Sequence, residues 1–537
     1  MIKTTQVNEF VFPKRIIEAS DDVSNAELLL KEKPYLAHKV GNEEVMTLPN
    51  NSHIILDFGK EYSGGIRMLV HFVGVKDNSA KLRLRFGESL GEVMHDVGYM
   101  HTSNDHNHRD FYYNVPCLSD VTVGNTGFRF VRIDNVSGEW VSFIGIVLCY
   151  VHMDAKQVGY FECDDERINQ IYDIATRTAF MSVQNGLVVE AIKRDRLVWA
   201  GDMNVQVMTL LDSYGDLDVI RNTIDCVREK YPLPGWMNSM PTYSLWWTLY
   251  VEATYKLNGD NEWLDNQMPY LLGLASILNK CVLDNGDIDY YQNKEGEIAM
   301  DYFIDWPSWT KPGIKDACVA LTKLSLDALS RLLPENKDVN EALSKIKKQD
   351  MSLDAPKGLR ALQEMAFGPD HPECLLKDGY KSTSTFLSYA IYKAMAKQGN
   401  TKEAIQIMKD FYGLMLDINA TTFFEDYQPE WVGGKVDEYE EGKPYFHENY
   451  GQWCYPGYRL SLAHGWSAGP SPFLIEEVAG IKIIDSETYK IEPSLGDLNY
   501  VKASRTTKYG PITIEVRKNS DGTYNISHSA PKEIKII

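Results

Sequence analysis

The chain has 537 residues, more than one ordinary hydrophobic core can organise, so two or three domains are expected. Its 75 acidic against 55 basic side chains leave a formal net charge of −20, which argues against nucleic acid or an anionic membrane surface as the main partner. Neutral or weakly charged ligands fit that balance, and an aromatic content of 11% suits carbohydrate stacking as well as it suits a core.

The first ten residues, Met1 to Phe10, carry no apolar leader, and no window approaches the ~18 apolar residues of a membrane span. A cytoplasmic protein is expected unless a leader has been removed. Up to about residue 155, short runs alternate apolar and polar, as in His53 to Phe58, Ile66 to Val73, Lys81 to Phe86, Phe128 to Ile133 and Trp140 to Met153. Period-two runs bounded by Gly, Asn and Asp predict strands and an all-β sandwich or jelly roll over 1–157. Within it His95, His101, His106 and His108 stand among Asp96, Asp105 and Asp110. The spacing matches no zinc motif, and the Asn, Ser and Gly around it read as a surface loop that reaches to the mouth of the helical part, in the same or a neighbouring subunit.

From about 160 the period becomes helical, through Glu166 to Asn185, Met203 to Glu229, Ser244 to Leu257, Glu262 to Val282, Lys315 to Leu332, Ser384 to Lys397 and Lys402 to Leu416. Gly215 is expected to split the second of these runs. A long series of amphipathic helices with short connectors predicts an α/α barrel over 158–475, with helix pairs around a central pocket. After about 475 strands return, at Ile481 to Ile484, Thr488 to Ile491, Thr513 to Arg517 and Tyr524 to His528, giving a second β domain over 476–537. The eight cysteines, at 117, 149, 163, 226, 281, 318, 374 and 454, contain no CxxC pair and read as free thiols.

The stretch Glu190-Ala191-Ile192-Lys193-Arg194-Asp195-Arg196-Leu197-Val198-Trp199-Ala200-Gly201-Asp202 packs three carboxylates, two arginines and a tryptophan between apolar, helix-like flanks. Such charges are costly to bury unpaired, so they predict a polar pocket. A carboxylate–arginine cluster alone is more often a structural ion-pair network than a catalytic site. Here a second carboxylate pair follows an apolar run in Ala420-Thr421-Thr422-Phe423-Phe424-Glu425-Asp426-Tyr427. Two further stretches join them: Asp301-Tyr302-Phe303-Ile304-Asp305-Trp306-Pro307-Ser308-Trp309, and His464 among small and aromatic residues in Ser461 to Pro470. Paired carboxylates for proton transfer, arginine for hydroxyls and tryptophan for stacking are what a sugar-cleaving site requires.

Arg194-Asp195-Arg196-Leu197-Val198-Trp199-Ala200-Gly201-Asp202 resembles the Arg-Asp-Glu-Arg-Leu-Gly-Trp-Thr-Gly-Asp signature of glycoside hydrolase family 78, the α-L-rhamnosidases. Thr421 to Tyr427 is similar to the family's Thr-Thr-Ile-Trp-Glu-Arg-Trp segment, Asp305-Trp306 to its Gly-Asp-Trp segment, and His464 falls where its Asn-His-Tyr segment lies. The order of β, helical barrel and β also matches. The resemblance implies a central (α/α)6 barrel flanked by N-terminal and C-terminal antiparallel β-sandwich domains. It implies an inverting exo-α-L-rhamnosidase acting on small glycosides or oligosaccharides, with Asp195 as general acid and Glu425 as general base. Glu190, Arg194, Asp202 and Asp305 would contact the sugar, Trp199 and Trp306 would wall its ring, and His464 would add a contact. No metal or organic cofactor is implied, and a homodimer is compatible with a compact member. The signature is one residue longer than the stretch here, Asp195 is shorter than the usual glutamate, and Ala191-Ile192-Lys193 replaces the usual Cys-Pro-Gln. The competing readings are a helical-barrel glycosidase for another deoxy or uronic sugar and a carbohydrate-binding relative without catalysis.

Overall fold

The computed structural model describes residues 6–34, 36–38, 44–291, 302–431, 433–441 and 456–537. Asp301 and Cys454, named above, lie outside the described residues.

Eight strands form the N-terminal sheet: β1 (Gln6–Val11), β2 (Arg15–Ala19), β3 (Met46–Leu48), β4 (His53–Val73), β5 (Ser79–Gly87), β6 (Asp110–Pro116), β7 (Ser119–Asn135) and β8 (Val141–Met153). A short helix, α1 (Leu90–Met94), follows β5. The hydrogen-bonded order is β1-β8-β4-β7-β5-β6, with β2 beside β4 and β3 beside β8, and every pair is antiparallel. The runs 53–58 and 66–73 are thus one long strand, bent where its register against β7 shifts between Asp57 and Tyr62 and again between Gly64 and Ile66. At the second shift Gly64 has φ +153°, and a Cβ there would lie 2.0 Å from the Cys149 carbonyl oxygen, so the close strand approach needs glycine.

The strand β9 (Tyr160–Cys163) then leaves this sheet, and the helices begin. They are α2 (Glu166–Met181), α3 (Met203–Tyr214), α4 (Asp218–Lys230), α5 (Pro241–Asn258), α6 (Asn261–Cys281), α7 (Ile314–Leu332), α8 (Lys337–Lys345), α9 (Lys357–Phe367), α10 (Glu373–Leu376), α11 (Ser388–Lys397), α12 (Thr401–Asp417) and α13 (Pro470–Phe473). A two-residue hairpin, β10 (Val183–Gln184) with β11 (Leu187–Val188), separates α2 from the charged stretch. Gly215 ends α3 at φ +86°, where its N–H bonds the Leu210 and Leu211 carbonyls, and so splits the long run as expected. Asp165 caps α2 by accepting from the Arg167 and Ile168 N–H groups. Each helix of one set packs on the next in the succession α2, α3, α5, α7, α9, α11, α12 and back to α2, so the run of contacts closes on itself. Among the described residues no helix is long and apolar enough to cross a membrane.

The last part holds β12 (Ile481–Ile483), β13 (Thr488–Ile491), β14 (Tyr500–Arg505), β15 (Ile512–Lys518), β16 (Tyr524–Ser529) and β17 (Lys535–Ile536). They form two small sheets, β12-β13-β17 and β16-β15-β14-β9. Two features differ from the sequence expectation. The β13–β17 pair is parallel, which corrects the purely antiparallel C-terminal domain, because β17 arrives only after the β14–β16 meander has reversed the chain. And β9, placed by the sequence in the helical span, pairs with β14 through Cys163↔Val501 to Tyr160↔Ser504. The seven described cysteines are unpaired thiols.

The N-terminal sheet is tied to the helical part by buried polar contacts. Arg129 of β7 bonds Asp57 at 2.8 Å and reaches the Asn419 carbonyl at 3.1 Å. Thr421 and Thr422 bond the Glu61 N–H and carboxylate. Lys193 makes an ion pair with Glu88 at 2.9 Å.

Candidate active site

Residues 189–202 connect the β10–β11 hairpin to α3 with no regular structure, which lets their side chains converge rather than radiate as from a helix. The loop is held by its own backbone: the Glu190 N–H bonds the Leu197 carbonyl, the Gly465 N–H bonds the Glu190 carbonyl, and Ala191 bridges to His464. Asp195 and Arg196 both adopt left-handed backbone, at φ +53° and +55°, and the Arg196 N–H turns back to the Arg194 carbonyl at 2.6 Å. Two consecutive non-glycine residues in that region are costly. The tight turn brings Arg194 and Asp195 to one point.

There the Arg194 guanidinium spans the two candidate catalytic groups. One terminal nitrogen bonds Asp195 at 2.6 Å, the other bonds the Glu425 carboxylate, and Nε donates to the Arg459 carbonyl at 2.8 Å. All three site side chains are buried. Glu425 is set in place through its backbone: its N–H bonds the Ser461 carbonyl, and its carbonyl accepts from the Thr385 hydroxyl and, at 2.7 Å, from the Trp466 indole. Burial raises Glu425 above the usual carboxylate range, while the Arg194 charge opposes that rise and the Asp195 charge adds to it.

Asp202 accepts from the Tyr243 hydroxyl at 2.7 Å and lies 3.8 Å from His464 Nε2. Burial pushes its carboxyl up to about 8; the Tyr243 hydroxyl opposes the rise, and the nearby Glu425 and Asp195 charges favour it. Tyr243 comes this close because residue 201 is glycine, where a Cβ would stand 2.4 Å from the tyrosine ring. Glu190 accepts the Leu197 N–H at 2.8 Å with one oxygen. Its carboxyl is held well above the ordinary range, first by burial and then by the Asp195 and Asp202 charges. Burial and the Arg194 charge keep His464 neutral. Glu190 Oε1 and His464 Nδ1 are buried without a hydrogen-bond partner among the described residues. Buried polar atoms are as a rule satisfied, so both invite a bound polar group.

Trp199 packs edge-on against Tyr243, with centroids 6.3 Å apart. The wall continues from Tyr243 to Phe303 at 6.1 Å, Phe303 to Trp306 at 5.0 Å and Trp306 to Trp309 at 5.7 Å. Trp306 lines a cavity of about 770 Å3 together with Tyr380, Ser384, Asp426 and Gln428. Asp305 sits behind it, fully buried, with its oxygens taken by the Ser308 N–H at 3.0 Å and the Ser384 hydroxyl at 2.6 Å. Ser308 and Ser384 themselves line the cavity, so the Asp305 carboxylate stands one side chain removed from it. Asp426, pushed up to about 7 chiefly by burial, lines the cavity where Glu425 beside it faces Arg194.

The structure therefore collects Glu190, Arg194, Asp195, Asp202, Glu425 and His464 around one buried point, with Trp199 against Tyr243 at its side. Asp305 and Trp306 stand farther along the aromatic wall. Arg459 was not singled out by sequence, since it lies in an otherwise ordinary loop segment, and Asp426 entered only as the second member of the Glu425 pair. The histidine-rich loop reaches this point from the same chain: His106 contacts Asp195, Asp105 pairs with Arg459, and the Asn107 amide bonds the Lys193 carbonyl at 2.9 Å. Among the described residues no three His, Cys, Asp or Glu side chains converge as metal ligands.

Comparison with known proteins bears on the family and the fold. Residues 156–322 match the bacterial alpha-L-rhamnosidase 6 hairpin glycosidase domain, and residues 13–137 match the glycosyl hydrolase family 78 alpha-rhamnosidase N-terminal domain. No curated protein matches the sequence. Among solved structures, the GH78 family rhamnosidase of Bacillus sp. GL1 superposes with a TM-score of 0.71 at 16% identity, over 93% of this chain and 53% of that one. The alpha-L-rhamnosidase from Dictyoglumus thermophilum gives 0.68 at 17% identity, over 91% and 58%. The rhamnosidase from Klebsiella oxytoca, solved with rhamnose bound, gives 0.66 at 18% identity, over 88% and 96%. The chain thus spans just over half the length of the first two, and identities this low speak to the fold. The two domain matches are to one family, lie in the expected order and together take in more than half of the chain, so the protein belongs to glycoside hydrolase family 78.

Proposed function

We propose that the protein is an inverting, exo-acting α-L-rhamnosidase that releases terminal α-L-rhamnose from small glycosides or oligosaccharides. Asp195 is the general acid and Glu425 the general base. One observation carries this reading: two carboxylates remote in sequence both take the guanidinium of Arg194, at a buried point where, among the described residues, Glu190 Oε1 and His464 Nδ1 have no hydrogen-bond partner. Sugar hydroxyls, which donate and accept, suit both atoms.

In turnover Asp195 gives its proton to the glycosidic oxygen as the bond to the anomeric carbon breaks, and Glu425 takes a proton from the water that attacks from the opposite face. The Arg194 charge favours the ionised form that a base needs. A rhamnose hydroxyl that accepts from Arg194 in place of one carboxylate frees that carboxylate for proton transfer. Trp199, Tyr243 and Trp306 present the apolar surface against which a deoxy sugar packs. The same reading takes 158–475 as an (α/α)6 barrel between β domains at 1–157 and 476–537. It invokes no cofactor, because acid–base hydrolysis needs none, and it places the enzyme in the cytoplasm.

A second reading has its own support. Inverting enzymes keep their carboxyl groups about 6.5 to 9.5 Å apart to admit water, and here a guanidinium fills the interval, as it would in a binding relative without catalysis. Hydrolysis of p-nitrophenyl α-L-rhamnopyranoside and a panel of other p-nitrophenyl sugars separates the two. Rhamnoside-selective cleavage is expected, with the β-anomer as first product by NMR and a loss of about 10²- to 10⁴-fold in Asp195→Asn and Glu425→Gln. Wild-type silence on every sugar, with L-rhamnose binding retained in calorimetry, would leave the non-catalytic reading standing.

A further inference from the structure

The acid candidate has a partner that the family signature does not supply. Residues 95–109 connect α1 to β6, and the loop is braced internally. Asn104 accepts from the Arg109 and Asp110 N–H groups and donates to the Asp110 carbonyl, and the buried Arg109 guanidinium bonds the Glu92 and His95 carbonyls. So braced, it presents three successive side chains to the site: Asp105 to Arg459, His106 to Asp195 and Asn107 to the Lys193 carbonyl. The His106 ring lies between two carboxylates, with Nδ1 in contact with Asp195 Oδ1 and Nε2 3.7 Å from Asp105 Oδ1. Its side chain is 44% exposed, whereas that of Asp195 is 6% exposed.

We propose that His106, carried on the N-terminal domain, is the proton relay that reloads the general acid from solvent. This rests on the rhamnosidase reading given above. The need for it follows from the site. Arg194 donates to Asp195 at 2.6 Å, and Glu190, Asp202 and Glu425 crowd the same point, so a proton must reach a buried carboxylate past a ring of protein groups. Imidazolium at His106 passes its Nδ1 proton to the Asp195 carboxylate, leaving neutral imidazole and a carboxylic acid. Asp195 then yields that proton to the departing oxygen as the glycosidic bond breaks, and the exposed imidazole regains a proton from water. Glu425 releases the proton taken from the attacking water, so the cycle is balanced. Asp105, itself paired with Arg459, holds the far edge of the ring.

The test uses His106→Asn in the full chain, since the asparagine amide can still reach Asp195 as Nδ1 does but cannot titrate. Hydrolysis of p-nitrophenyl rhamnoside, whose leaving group needs little protonation, is compared with that of methyl rhamnoside, whose leaving group needs it fully. The relay predicts a loss at least about ten-fold larger for the methyl glycoside, with the alkaline limb of the wild-type pH profile moved. Equal losses on both substrates, or none, would overturn it and leave His106 a structural contact. Nuclear magnetic resonance gives a readout apart from activity: the His106 ring nitrogen signals should shift in Asp195→Asn, because Nδ1 loses its carboxylate partner. Unchanged ring signals overturn the relay even in an active enzyme. A wild type that cleaves no rhamnoside but shows that shift keeps the proton couple and removes the rhamnosidase reading instead.

Discussion

At the scale of single residues, Arg194 and Asp202 carry opposite burdens. Arg194 neutralises two buried carboxylates at once, so Arg194→Ala strands both; breaking a buried pair costs about 3 to 5 kcal/mol. A drop in both melting temperature and kcat/KM is expected. Retention of both in calorimetry and rhamnoside kinetics would remove the guanidinium from the site's logic. Asp202 shows the price of a polar pocket. Its folded-state value of about 8 stands above the ordinary 3.8, so between those values the folded protein holds a proton that the unfolded chain has released. Stability from this carboxyl is therefore full below about pH 4 and is lost as pH rises toward 8. Asp202→Asn keeps an acceptor for the Tyr243 hydroxyl and removes the dependence. Its gain in melting temperature over the wild type should be small near pH 4 and largest near pH 8, and a difference that shrinks with rising pH refutes the assignment. Sequence made most of these side chains visible because their chemistry is concentrated, as in residues 190–202. It did not reveal that the Asp305 oxygens are taken by Ser308 and Ser384, because an Asp-Trp pair reads the same whether its carboxylate faces a ligand or a neighbouring serine.

At the scale of elements, the approach of α5 to the start of α3 fixes the pocket. Gly201 lets the Tyr243 ring lie against the backbone, and Gly201→Ala would put a methyl 2.4 Å from it. The expected cost is about 1 to 3 kcal/mol, the usual range for overpacking, with lower activity as Tyr243 leaves Asp202. In a Tyr243→Ala background the same substitution should cost little, and a double-mutant cycle in denaturant that proves additive would refute the contact. Periodicity located α2, α5, α6, α7, α11 and α12 to within a few residues, because each carries a full apolar stripe. It missed α8 and α9, although both have strong apolar faces, because the polar sequence around Pro334 and Pro356 reads as connection. It missed β9 because four residues are too few to show a period.

For the whole molecule, the N-terminal sheet is part of the site. Glu88, at the end of β5, pairs with Lys193 and accepts the Leu462 N–H at 2.6 Å, and the next residue back, Ser461, bonds the Glu425 backbone. Glu88→Ala is therefore expected to lower kcat as well as to destabilise by several kcal/mol. Arg15→Ala, which breaks half-exposed ties to Asp437 and to Asp57, the latter still held by Arg129, should cost about 1 kcal/mol. Equal effects from the two, in melting and in rhamnoside turnover, would mean that the sheet is only a neighbour. The β, helix, β order could be read from the change in period, but this coupling could not. It joins residues 88, 193, 425 and 462, which no local pattern links.

The pairing of β9 with β14 has a consequence in time. A ribosome makes residue 163 long before residue 501, its partner in the ladder, and at about 5 to 20 residues per second the gap is on the order of tens of seconds. During that interval the N-terminal sheet can be complete, whereas the strand that leads into the helices has no neighbour to bond. The helical ring closes through α12 and α2, so a nascent chain stalled between α13 and β14 holds every proposed catalytic residue and still lacks the ladder that ties β9 to the C-terminal sheet.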